Sequence, residues 1–187
     1  SIMSQREVHT HVASFAVAVK AAVREDPDVI LVGEMRDLET IRTALSAAES
    51  GFTVFGTLHT NNAAKAVDRI INVFPQEEQE GVRGALAESL KGVVAQQLLK
   101  RNGGGRVAAL EILFSTSGLS SMIREGKTSQ ITSSIQMGKN MGMQSMDDAL
   151  FKLVEAETVT SESAYEKAVD KGGFRDRLEA VGISLDV

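Results

Sequence analysis

The sequence has no cysteine and no tryptophan, a single tyrosine and only two prolines. Without thiols it can build neither a disulfide framework nor a thiolate zinc site, and it has no cysteine nucleophile; a reducing compartment suits such a chain. Stacking platforms for single-stranded nucleic acid would have to rest on seven phenylalanines, most of them in core-like contexts. Apolar runs such as Val29–Val32 fall far short of the roughly 20 residues of a membrane span, and no signal-peptide pattern opens the chain. A soluble protein that is not itself exported is expected. Strong charge is lacking too: a net charge of −5 argues against a nucleic-acid backbone or an anionic membrane surface as the main partner. What remains is ordinary for a well-packed domain, 187 residues of which 43% are hydrophobic and 24% charged.

From Val12 to Arg24 the apolar residues Val12, Phe15, Val19, Ala22 and Val23 recur at helical spacing until Pro27 stops the pattern, which predicts one amphipathic helix. Residues Val29–Val32 follow, a branched apolar run between polar and glycine signals, and predict a parallel strand buried on both faces. Asp37 is placed to cap a helix carrying Leu38, Ile41, Leu45 and Ala48 on one stripe, and Gly51 closes it before a second short strand over Phe52–Leu58. Strand, helix and strand make a βαβ unit. A helix over Asn62–Ile71 comes next, and Pro75 opens a longer one in which Val82, Leu86, Leu90, Val93, Val94, Gln97 and Leu98 keep helical spacing. Gly103–Gly105 break the chain, Arg106–Leu113 reads as a strand, and Leu119–Leu185 is helical in spacing with turns near Gly126, Gly138–Gly142 and Gly172–Gly173. The methionines between Met137 and Met146 read as core filler. The expected organisation is an α/β part over residues 1–115 and a helical bundle over residues 116–187.

Chemistry concentrates in two segments, Gly33-Glu34-Met35-Arg36-Asp37 and Gly56-Thr57-Leu58-His59-Thr60. In each, polar residues stand immediately after a buried strand, and the carboxyl ends of strands in open α/β sheets are where ligands bind. Glu34 at such a tip suits a carboxylate that holds magnesium directly or through water. His59, with Thr57 and Thr60 around it, suits a hydrogen bond to a terminal phosphate at the neighbouring tip. An isolated carboxylate there is more often a helix cap, and an isolated histidine more often a structural donor. His9 and His11 have the spacing of two ligands on one side of a strand, but with no third ligand near they are read as surface residues. Arg42 and Arg69 are read as solvated or paired helix residues.

In order along the chain, Arg24-Glu25-Asp26-Pro27-Asp28, Gly33-Glu34-Met35-Arg36-Asp37, Thr57-Leu58-His59-Thr60, Gly103-Gly104-Gly105-Arg106 and Ile123-Arg124-Glu125-Gly126-Lys127 resemble the pilus retraction ATPases, the PilT-like branch of the secretion and pilus ATPase superfamily. The resemblance covers most of the chain. It implies a partial RecA-like P-loop ATPase core followed by a small helical subdomain, from a homo-hexameric motor that draws pilin from the fibre. Glu34 then matches the acidic residue of the Walker B box, a site for magnesium, and His59 the sensor of the His box. The same resemblance implies ATP contact by Thr57 and Thr60, a role in nucleotide contact or at the subunit interface for Arg24 and Arg36, a cytoplasmic location at the inner membrane, and docking on the pilus platform protein. For Arg24 and Arg36, salt bridges to Glu25 or Asp37 are the competing reading.

The sequence departs from that pattern in several places. No Gly-Lys-Ser or Gly-Lys-Thr loop precedes the Walker B strand, and the upstream acidic box is missing as well, so these residues alone are expected to be inactive. Gly126-Lys127-Thr128 is no substitute, because a phosphate loop requires glycine where Ser121 stands and must follow a strand. The family's Ala-Ile-Arg segment, tied to retraction, corresponds to Gly118-Leu119-Ser120. Competing expectations are an accessory retraction ATPase of the PilU type, a type II secretion or assembly ATPase, whose four-cysteine zinc module has no counterpart here, and a non-enzymatic subunit-interaction module.

Overall fold

A computed structural model describes residues 2–185. Contacts group them into two compact units: residues up to His59 with Val67–Leu90 and Ile123–Gly126, and Thr60–Ala66 with Lys91–Met122 and the chain from Lys127 on.

The first unit opens with α1 (Phe15–Ala22), whose N-terminus is capped by the Ser14 hydroxyl accepting from the Val17 amide at 3.3 Å. A short 3-10 turn over Val23–Glu25 ends at Asp26 in the left-handed region, and Pro27 leads into β1 (Val29–Val32). Asp37 caps α2 (Leu38–Glu49) as expected, taking the Thr40 amide at 2.8 Å and the Thr40 hydroxyl at 2.7 Å. These bonds hold its carboxyl below the usual carboxylate range. Gly51 turns the chain at φ 98° into β2 (Thr53–Gly56). Strands β1 and β2 are parallel, with Val29 opposite Thr53 and Val32 opposite Gly56, so β1, α2 and β2 form the predicted βαβ unit.

Val19, Ile30, Val32, Ala44 and Ala47 form the core of this unit, with Phe15, Val23, Phe52 and Val54 packed around it. Only one face of β1 takes part. Ile30 and Val32 are 6% and 2% exposed, whereas Val29 and Leu31 on the other face are 54% and 73% exposed, beside Phe55 of β2 at 58%. Burial on both faces was expected, but within this unit the helices packed on the strands cover one side alone.

Helix α3 (Ala63–Asn72) begins with the Asn62 side chain accepting from the Lys65 amide at 2.8 Å. The long helix expected after Pro75 is instead α4 (Gln79–Ser89) followed by a strand, β3 (Gly92–Lys100). Positions 90, 94 and 98 lie four apart and share a face under either period, so spacing alone does not separate the two. The run pairs antiparallel along its full length with β4 (Arg106–Phe114). A side chain at position 92 would bring a Cβ within 2.9 Å of the Leu113 carbonyl, so glycine is what this close pairing admits.

Gly103–Gly105 all take positive φ in the hairpin turn, and Asn102 fastens the tip by donating to the Glu157 carbonyl at 2.7 Å. The remaining helices are α5 (Ser117–Arg124), α6 (Ile131–Met137), α7 (Met146–Glu155), α8 (Ser161–Lys167) and α9 (Lys171–Ala180). Gly172–Gly173, expected to be a turn, lie in the first turn of α9. The Asp170 carboxylate caps the Gly173 amide at 3.0 Å and approaches so closely that an added Cβ would sit 2.5 Å from it. Leu99 and Ala109 of the hairpin share one core with Met146, Leu150, Phe151, Val154, Phe174 and Leu178. By packing, then, the hairpin goes with the C-terminal helices.

Candidate functional site

The exits of β1 and β2 are bonded to each other beyond the last strand pair. The Met35 amide donates to the Thr57 carbonyl at 2.9 Å, and the Thr57 hydroxyl donates to the Gly33 carbonyl. Gly56 makes room for this: a Cβ there would lie 2.5 Å from the Met35 Cε, so the methionine lies against bare backbone. Gly33 and Thr57 are thereby held side by side, and the residues after them emerge together at the carboxyl ends of two parallel strands.

Glu34 and His59 meet there. Glu34 Oε2 stands 3.4 Å from His59 Nε2 and 2.8 Å from an Arg36 guanidinium nitrogen. The glutamate side chain is 28% exposed, while those of His59 and Arg36 are 67% and 66% exposed. Such an open ion pair contributes little to stability, so its significance is geometric. Among the described residues no bond engages Glu34 Oε1, which leaves that oxygen to accept from water or to meet a cation. A single carboxylate fits magnesium, which keeps several waters and takes its other ligands from substrate phosphates. No group of three or more His, Cys, Asp or Glu residues able to hold a metal occurs among the described residues.

The other expected site residues fall out differently. Thr57 acts through its hydroxyl on the Gly33 carbonyl, joining the strand exits. Arg36 turns to Glu34, and its alternative partner Asp37 is occupied by Thr40. Arg24 lies exposed in the 3-10 turn; Glu25, its alternative partner, pairs with Arg6 at 2.5 Å. Among the described residues no hydrogen bond or ion pair engages the Arg24 side chain. Thr60 opens the 60–66 segment of the second compact unit. His9 and His11 lie within a tight turn, not on a strand: His9 has φ 69°, and His11 Nδ1 accepts the Glu7 amide at 3.1 Å. Gly126 takes φ 70° after helix α5, not after a strand, so Gly126-Lys127-Thr128 lacks the context of a phosphate loop. Leu119, in the segment corresponding to Ala-Ile-Arg, is fully buried.

One residue went unnoticed in the sequence. Glu111 is 4% exposed in the middle of β4, and its only sequence signal is an acid inside the apolar run Val107–Phe114.

The fold thus offers a βαβ unit whose paired strand exits set a carboxylate against a histidine. A family model for type II/IV secretion system proteins matches residues 3–165, and the chain belongs to that family. Within it, the chain is 54% identical over 167 residues to the type IV pilus retraction ATPase PilT of Pseudomonas aeruginosa, a match that covers 89% of this chain and 48% of that protein. It is also 54% identical over 169 residues to a twitching motility protein of Neisseria gonorrhoeae, covering 90% of this chain and 45% of the relative. The crystal structure of the pilus retraction motor PilT with bound ADP superposes with a TM-score of 0.83 at 48% identity, over 91% of this chain and 48% of that one. The chain thus spans about half the length of the curated relatives it matches.

Proposed function

We propose that the intact protein is a magnesium-dependent ATPase that powers retraction of type IV pili, and that these residues supply one half of its nucleotide site. The observation that carries this reading is the apposition of Glu34 and His59, 3.4 Å apart, at the ends of adjacent parallel strands. The similarity to PilT, named a type IV pilus retraction ATPase, supports the activity, and the ADP bound in a PilT structure supports the ligand. Magnesium, when bound with ATP, supplies neutralisation of the charge that develops on the phosphates.

Glu34 holds the metal or its water through the free carboxylate oxygen, while Arg36 and His59 orient the other. His59 donates to the terminal phosphate and returns to Glu34 when that phosphate leaves, so the pair reports hydrolysis. Thr57 fixes the distance between the two strand exits. Thr60 and Arg24 are exposed or half-buried polar groups free to approach nucleotide or a neighbouring subunit in a homo-hexameric ring. The loop that cradles the phosphates comes from another part of the intact protein, so these residues alone bind ATP weakly and do not turn it over. No helix among the described residues is long and apolar enough to cross a membrane. The ring works at the cytoplasmic face of the inner membrane against a platform protein, and nucleic acid is not its partner.

In the intact protein, Glu34→Gln and His59→Ala should each lower kcat about 100-fold or more while leaving nucleotide Kd within about threefold of wild type. Unchanged turnover in either variant removes that residue from the site. A wild-type protein that hydrolyses no ATP leaves a subunit-interaction module in place of an enzyme.

A further inference from the structure

The tip of the β3–β4 hairpin reads Lys100-Arg101-Asn102-Gly103-Gly104-Gly105-Arg106, and all of it is exposed. It is the one place in the sequence where asparagine precedes glycine: Asn61, Asn62, Asn72 and Asn140 precede asparagine, alanine, valine and methionine. An asparagine side chain is open to attack by the backbone nitrogen of the next residue once that nitrogen has lost its proton. Glycine presents the nitrogen with no Cβ beside it to obstruct the approach.

Both reacting groups are reachable. Gly103 has φ 83°, open space lies where a Cβ would stand, and among the described residues no hydrogen bond engages its amide. Lys100 and Arg106 stand opposite each other in the strand register, with Arg101 next to the asparagine. None of the three has an acidic partner among the described residues. Positive charge gathered there favours the deprotonated nitrogen and the oxyanion that its attack creates.

The bonds that Asn102 makes give such a reaction a structural consequence. Asn102 fastens the tip twice to the loop between α7 and α8: its amide donates to the Thr158 carbonyl at 2.9 Å, and its Nδ2 donates to the Glu157 carbonyl at 2.7 Å. Glu157 has φ 52°, a left-handed conformation uncommon outside glycine. The side-chain NH2 is thus half of the clamp, and it is the group that the reaction expels.

We propose that Asn102 is a self-modification site and the hairpin tip a one-way latch that its deamidation opens. The Gly103 nitrogen bonds to Asn102 Cγ, the Cγ–Nδ2 bond breaks, and ammonia leaves with the proton, giving a cyclic imide. Water then adds to either imide carbonyl and opens the ring, leaving aspartate or isoaspartate at position 102. Water is the only co-reactant. The new carboxylate meets the Glu157 carbonyl acceptor to acceptor, so the side-chain bond of the clamp does not re-form. Reaching the Gly103 nitrogen draws Cγ away from Glu157, so the clamp opens before the ring closes, and the folded tip slows the reaction without preventing it.

The test holds the intact protein at mildly alkaline pH and samples it over days. Peptide mass mapping reads the exchange of NH2 for OH at each asparagine, and hydrogen exchange is resolved along the chain before and after. Asn102 should convert about tenfold or more faster than Asn61, Asn62, Asn72 or Asn140, whose following residues all carry a Cβ. It should convert about fivefold or more slowly than in an isolated peptide of residues 98–107, which lacks the clamp. Exchange over residues 101–105 and 157–159 should rise about fivefold in the converted protein and in Asn102→Asp, and stay unchanged over 29–32 and 53–56. Gly103→Ala should keep its Asn102 amide. Because alanine strains the turn at φ 83°, Asn102→Gln, whose longer side chain closes such a ring far more slowly, is the companion control. An Asn102 amide that lasts as long as the other four overturns the proposal. So does conversion as fast as in the peptide, or exchange that is unmoved in both the converted protein and Asn102→Asp, since either outcome means that Asn102 latches nothing.

Discussion

Replacing Asp148 by asparagine should weaken the C-terminal helices by an amount that shrinks as the solution is acidified. The Asp148 side chain, 11% exposed, meets Lys139 at 2.7 Å, Arg177 at 2.7 Å and the Ser145 hydroxyl at 2.9 Å, and Arg177 also lies 3.8 Å over the Phe151 ring. Burial alone would raise its pKa, but the bonds from Lys139, Arg177 and Ser145 prevail and lower it from 3.8 to about 2. A folded pKa below the unfolded one means stability that is present above the unfolded value and lost as the pH falls toward the folded one. With those two values the carboxylate contributes about 2.4 kcal/mol at pH 7 and about 1.3 kcal/mol at pH 3. Tyr165, the only tyrosine, lies in the same compact unit and beneath Lys171 and Arg175, so its fluorescence in urea reports this unit's unfolding. The difference between wild type and Asp148→Asn should be about 2 kcal/mol near pH 7 and about half that near pH 3. A difference that is constant with pH, or grows on acidification, refutes the ion-pair account.

Other consequences follow from the first unit. The open apolar face of Val29, Leu31 and Phe55 should make the 187-residue chain self-associate at micromolar concentrations, and Leu31→Lys should return it to a monomer by sedimentation; a monomeric wild type contradicts this. Gly56→Ala must displace Met35, whose Cε, Sδ and Cγ lie within 3.2 Å of the new methyl. In the intact protein it should lower ATP turnover about tenfold or more by shifting Glu34, with a melting temperature close to wild type; unchanged turnover would show that Met35 moves without Glu34.

Much of this was legible because it is local. Asp37 at the start of an apolar stripe and Gly51 at its end fix α2 within one turn of each boundary, and Glu34 and His59 stand directly after the apolar runs that place them. Where two periodicities coincide the sequence is mute, as at Val94 and Leu98, and the strand there is decided by a partner, β4, that spacing does not reveal. The open side of β1 could not be read either, because Val29 and Leu31 are as apolar as the buried Ile30 and Val32. Glu111 was invisible for a third reason: the amides it accepts lie 48 and 35 residues away along the chain.

The central claim is that these residues carry the Glu34–His59 half of an ATP site whose phosphate loop lies elsewhere in the intact protein. It is tested most directly by titrating the 187-residue chain and the intact protein, with magnesium, against a fluorescent ATP analogue while following phosphate release. The account predicts tight binding and turnover in the intact protein alone, with turnover abolished by Glu34→Gln. Tight binding by the 187-residue chain itself would contradict it, since a complete phosphate site would then lie within these residues.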